Sequence, residues 1–139
     1  MQTFLPFPDF AQSASVLDRQ RLGKQRVETI QILKALTNPS YGWQNHPAIR
    51  MWRGHVPALT LYGLAICHEW TRRGYTDNCA PQIASFMPDG EILTPNPPWF
   101  GDPAFHASHR SNLLRKDPAH YGQFHWTDSP DLPYIWPEP

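Results

Sequence analysis

Proline constrains this chain most, because its ring fixes φ and removes an amide donor, and it occurs 16 times in 139 residues. The prolines are interleaved with aromatic residues, a pattern of helix starts and extended packed loops rather than of disorder. Pro6 and Pro8 keep residues 1–12 extended. Ser13 or Ser15 caps a long helix running to about Leu36, which Asn38-Pro39 ends. Pro47, favourable in a first turn, opens a short helix that Gly54 stops. Pro57 opens a second long helix, closed by Arg72-Arg73-Gly74, where cations meet the negative end of the dipole. A short helix is expected over 81–86, an ordered connector over 87–103 with a candidate strand at 91–94, and a last long helix over 103–116. These elements define a mainly α chain: a single compact domain over 1–139, with about three principal helices and long ordered proline- and aromatic-rich loops.

Six Trp, seven Phe and five Tyr supply the area for a core or a binding cleft. The formal net charge is zero, so no global basic field points to nucleic acid. The distribution is uneven, with seven Lys/Arg against three Asp/Glu in residues 1–60. A basic first half attracts phosphate or merely solvates a surface. Cys67 and Cys79 form no CxxC pair and read as free thiols of a reducing compartment. No secretory signal pattern and no apolar stretch of membrane-spanning length occur, so a cytoplasmic location and no membrane partner are expected. A monomer with no obligate protein partner is the simplest expectation.

On the first long helix Val16, Gly23, Val27, Ile30 and Leu33 share a face, and Asp18, Arg21, Gln25 and Glu28 share a nearly opposite one, with Lys24 at its edge. Arg19 and Arg26 point near the apolar arc. A guanidinium placed there needs a compensating partner or ligand, and its planar fork suits phosphate. Farther on, His46 follows an aromatic segment containing Trp43, and Trp52 stands just beyond, groups on which a base can stack. His106, His109, Arg110 and Lys116 share one helix, with Tyr121 after it, and suit contacts to phosphate and base. No HExxH or GxSxG motif occurs, and no metal or other cofactor is expected.

Three stretches resemble the pyrimidine dimer DNA glycosylases, the endonuclease V-like family, and the opening is similar to an actinobacterial branch of it. The segment Gly42-Trp43-Gln44-Asn45-His46-Pro47-Ala48-Ile49-Arg50 is similar to a Gly-aromatic-x-Asn-His-Pro pattern of bacterial members. Ala58 to Tyr62, Ile66, Glu69 and Arg73-Gly74-Tyr75 look like the helix that follows it. His106, Ser108, Arg110, Leu114, Lys116, Pro118 and Tyr121 resemble the C-terminal helix and aromatic tail.

The resemblance implies an enzyme that flips a nucleotide out of duplex DNA and cuts its N-glycosidic bond. The chain's α-amine attacks the anomeric carbon, and the resulting Schiff base can proceed to strand cleavage. An α-amine suits this role because such groups titrate near 8. Gln2 is bulky, so Met1 is retained and supplies the amine. The family's carboxylate falls near Gln20, where this sequence has none, leaving Asp18 or Glu28 to serve and Lys24 as a different amine. The DNA-binding set is then Arg19, Arg21, Arg26, Trp43, His46, Arg50, Trp52, His106, His109, Arg110, Lys116 and Tyr121. Two alternatives remain: a noncatalytic DNA-binding module of the same fold, and a small enzyme acting on a nucleoside or nucleotide.

Overall fold

The structure is a computed structural model that describes residues 1–89 and 96–139; the candidate strand at 91–94 lies outside the described residues. Among the described residues seven α-helices and one 3-10 turn follow in order: α1 (Phe10–Val16), α2 (Arg19–Thr37), α3 (Pro47–Arg50), α4 (Val56–Arg72), α5 (Ala80–Ala84), α6 (Pro103–Lys116), α7 (Pro118–Tyr121) and the turn Gly122–Phe124. Among the described residues there is no strand. The expected mainly α fold with three principal helices, α2, α4 and α6, is borne out.

Proline sits in the first turn of α3, α4, α5, α6 and α7, where its missing N–H has no intrahelical partner to lose. The first long helix is divided where the sequence suggests continuity. Leu17 is extended and Asp18 takes β-region dihedrals, its side chain accepting from the Arg21 N–H as the cap of α2. Tyr121 secures the break from the far end of the chain, its hydroxyl donating to Asp18 Oδ1 and accepting from the Asp18 N–H at 3.0 Å.

Helix α4 is central, packed against α1, α2 and α5. Gly63 allows that packing: a Cβ there would lie 2.6 Å from Thr29 Cγ2 on α2 and 3.0 Å from Ile83 on α5. The core is strongly aromatic. Trp52, Tyr62, Phe105 and Tyr121 are fully buried, and Trp52 meets Trp99 edge-on at 4.9 Å. The apolar face expected on α2 shifts. Leu22, Ile30, Ile32 and Leu33 are buried, but Val27 is 47% exposed, and Gln25 and Thr29 take inward positions instead. Polar groups face inward because each finds a hydrogen bond there, Thr29 with the Gln25 carbonyl at 2.7 Å and Gln25 with the N-terminal segment.

Candidate active site

Residues 2–5 are buried, yet they pair with no strand among the described residues. Buried backbone amides need partners, and here side chains from three helices supply them. From α2, Gln25 accepts from the Phe4 N–H at 3.1 Å through Oε1 and donates to the Gln2 carbonyl at 2.8 Å through Nε2. From α4, the Tyr62 hydroxyl donates to Gln25 Oε1 at 2.5 Å and stands 3.0 Å from the Phe4 carbonyl. From α6, His109 Nδ1 accepts from the Leu5 N–H at 3.0 Å, and Arg110 donates to the Pro6 carbonyl at 2.7 Å. His106 accepts the Gly101 N–H on Nε2, which leaves Nδ1–H to donate to the Leu5 carbonyl at 2.7 Å. The indole N–H of Trp52 reaches Thr3 Oγ1 at 3.0 Å.

This clamp delivers the start of the chain to a cleft of about 320 Å³. Met1 and Glu28 line it together with Arg21, Lys24 and Lys116, and Tyr134 and Trp136 complete one wall. Glu28 Oε2 accepts from the Gln2 N–H at 3.1 Å and from Gln25 Nε2 at 3.2 Å, so the carboxylate is tied to the chain start. His46 is not a lining residue of the cleft but stands behind its Trp136 wall. Burial holds its imidazole below the usual range, the N-terminal positive charge adds to this, and Glu28 opposes it. Its Nδ1 accepts from the Ala48 N–H at 3.0 Å, and its ring meets Trp43 and Trp136 edge-on at 6.2 and 6.1 Å. Trp43 is 67% exposed with φ +69°, a strained conformation for a bulky residue. An amine, a carboxylate and three cations thus meet in one concave site, a suitable arrangement for holding phosphates and opening a bond at a sugar carbon.

Other residues singled out in the sequence stand elsewhere. Asp18 is a capping group: burial pushes its pKa up, but hydrogen bonds from Tyr121 and Arg21 outweigh this and hold it below the usual carboxylate range. Arg26 has its partner within the protein, pairing with Asp77 at 2.8 Å and lying over the Trp70 ring at 4.4 Å. Trp52 belongs to the core and Tyr121 to the α2 cap, so neither is free to stack a base. His106 and His109 are likewise enclosed, and burial drives the His109 pKa down to about 3. Arg110 is engaged by Asp128 at 2.7 Å, and Arg50 pairs with Glu138 at 2.7 Å on the surface. Arg19 is exposed at the start of α2. Sequence reasoning missed Gln2, Gln25, Tyr62, Tyr134 and Trp136. For Gln25 the available signal was its place one turn before Glu28 on a helix that must also meet the chain start.

The helical scaffold thus brings its own N-terminus to a cationic cleft beside a carboxylate. A model of the pyrimidine dimer DNA glycosylase family matches residues 1–82, and the chain belongs to that family. Membership supports DNA glycosylase function in general and DNA as the substrate. The matched span holds Met1, Arg21, Lys24, Glu28 and His46, whereas Lys116, Tyr134 and Trp136 lie beyond it. No curated protein and no solved structure matches the chain. No helix among the described residues is long and apolar enough to cross a membrane.

Proposed function

We propose that this chain is a DNA N-glycosylase with abasic-site lyase activity that acts on a damaged or modified base through the α-amine of Met1. The convergence of Met1 and Glu28 with Arg21, Lys24 and Lys116 on one cleft carries this reading. The cations hold the backbone phosphates on either side of a flipped nucleotide, and His46, Trp43 and Trp136 flank its base and sugar. The whole chain acts as one domain, because α6 and the C-terminal tail complete both the clamp and the cleft.

The neutral amine attacks C1′, and the glycosidic bond breaks with its electron pair leaving on the base, which takes a proton from water. The nitrogen gives up a proton to the Glu28 carboxylate. Its lone pair then forms the C=N bond as C1′–O4′ opens, and Glu28 returns the proton to O4′. Loss of a C2′ proton from this iminium expels the 3′ phosphate, which is the lyase step. Lys24 is a second amine in the same cleft, but Glu28 is tied to Gln2, next to Met1. Asp18 is committed to Tyr121 and Arg21.

Borohydride added to the protein and a duplex with one abasic site tests this reading. A covalent protein–DNA adduct is expected, and acetylation of the N-terminus should abolish it. Absence of an adduct removes the amine mechanism.

A further inference from the structure

We propose that Trp43 is a wedge: its indole enters the base stack of duplex DNA and fills the gap left by the extruded nucleotide. The inference rests on the reading of the cleft as the site of that nucleotide and deepens it. It makes the substrate a duplex rather than a single strand or a free nucleoside.

Trp43 differs from the tryptophans of the core. It is 67% exposed, whereas Trp52 and Trp99 are buried. Its φ of +69° is one that a bulky residue holds only where the surroundings impose it, and such strain gathers at functional sites. Here the imposing contacts are hydrogen bonds on both sides. Gln44 Nε2 donates to the carbonyls of Ala35, Asn38 and Tyr41 at 2.8, 3.0 and 3.0 Å, which ties the loop to the end of α2. The Trp43 carbonyl accepts from the His46 N–H at 2.9 Å, and Arg53 donates to the Gln44 carbonyl at 2.7 Å. The loop is thus anchored while its indole projects into solvent. The fold gains little from a large apolar ring kept mostly in water on a strained backbone.

The indole also stands in the right place. It meets His46 edge-on at 6.2 Å, and His46 meets Trp136 of the cleft wall at 6.1 Å. Two ring contacts separate it from the cleft, so both reach one stretch of duplex. The tip is slim. Gly42 and Asn45 beside it are exposed, and a Cβ on Gly42 would meet nothing within 4 Å. A stacked base takes up roughly 3.4 Å of duplex, and an indole is as thin. Extruding a nucleotide strips both neighbouring bases of a stacking partner, and an inserted indole restores a π-face to each. Arg53 is exposed at the base of the loop, and its guanidinium keeps further donors for a phosphate beside the gap. The cleft holds the nucleotide, and the wedge blocks its return.

The test uses two duplexes carrying a tetrahydrofuran abasic analogue, one with adenine opposite and one with pyrene opposite. Pyrene spans the width of a base pair and occupies the gap itself. Affinities of the wild type, Trp43→Gly and Trp43→Phe are read by fluorescence anisotropy. On the adenine duplex Trp43→Gly should bind about tenfold or more weakly than the wild type, and Trp43→Phe should recover part of the loss. On the pyrene duplex the wild type and Trp43→Gly should agree within about twofold, since the slot is already filled. The ratio between the two duplexes does not depend on the fraction of protein folded. An equal loss on both duplexes would put Trp43 on the extruded nucleotide or in a groove, and no loss on either would put it outside the DNA. Both outcomes overturn the wedge, as does the absence of binding. Borohydride trapping on a duplex with a true abasic site separates the two readings. A gap-dependent loss without an adduct removes the amine mechanism and keeps the wedge; an adduct without that dependence removes the wedge alone.

Discussion

The backbone N–H of Gln2 donates to the Glu28 carboxylate across 3.1 Å, which joins the start of the chain to the middle of α2. The bond sets the carboxylate one residue from the terminal amine. The rest of the clamp holds the N-terminal segment so that Glu28 need not support it alone.

Glu28→Gln should therefore separate chemistry from folding. The amide keeps an acceptor for the Gln2 N–H but loses the charge and the capacity to carry a proton. Excision and adduct formation should fall by about 100-fold or more, with the melting temperature within a few degrees of the wild type. Full activity in this variant would exclude Glu28 as the proton carrier.

Gln25→Leu should do the reverse. It strips partners from the Phe4 N–H and the Gln2 carbonyl inside the core, while the Tyr62 hydroxyl keeps the Phe4 carbonyl. A loss of roughly 2–5 kcal/mol in unfolding free energy is expected from two buried groups left unpaired. Urea unfolding measures it. A loss near zero would mean that the N-terminal segment is not held by this side chain.

The helices were legible because their limits are local. Prolines at 47, 57 and 103 and the Arg72-Arg73-Gly74 stop lie within a turn of the observed ends. The split before Asp18 was not, since the tyrosine that secures it is 103 residues away. The same distance hid the uses of His106, His109 and Arg110. Each serves the backbone of residues 5 and 6, and no helical period contains that information. Arg26 shows the converse. Its place near the apolar arc marked a guanidinium in need of a partner, but Asp77 is 51 residues away and was not identifiable from spacing. Glu28 was readable as a candidate carboxylate, and its bond to Gln2 favours it over Asp18.

Acid should weaken the clamp before the carboxylates titrate. Burial holds His109 near a pKa of about 3 and lowers those of His106, His46 and His55. An unfolded histidine titrates near about 6.5, so below that pH the unfolded chain binds protons that the folded one refuses. The stability contribution is complete above about pH 6.5 and is lost as pH falls toward 3. The urea midpoint should drop between pH 7 and 4.5. His109→Asn, whose Oδ1 can accept from the Leu5 N–H, should show a flatter profile. An equal slope in both proteins would rule out His109 as a source of the acid sensitivity.

Trp43 should matter to DNA and not to the fold. Its side chain is largely in solvent, and its positive φ is one that glycine adopts without strain. Trp43→Gly should keep or raise the melting temperature while weakening binding to damaged duplex by about 1–3 kcal/mol, the usual worth of an aromatic–base stack. Anisotropy titration and a thermal melt on the same sample decide the matter. Lost stability with unchanged binding would make Trp43 structural.

The most direct test of the amine mechanism is the attachment point of DNA on the trapped protein. Borohydride reduction with an abasic duplex, nuclease digestion and peptide mass spectrometry should find the sugar remnant on the Met1 nitrogen. A remnant on Lys24 or Lys116, or no adduct under conditions that cleave the strand, would contradict the Met1–Glu28 mechanism.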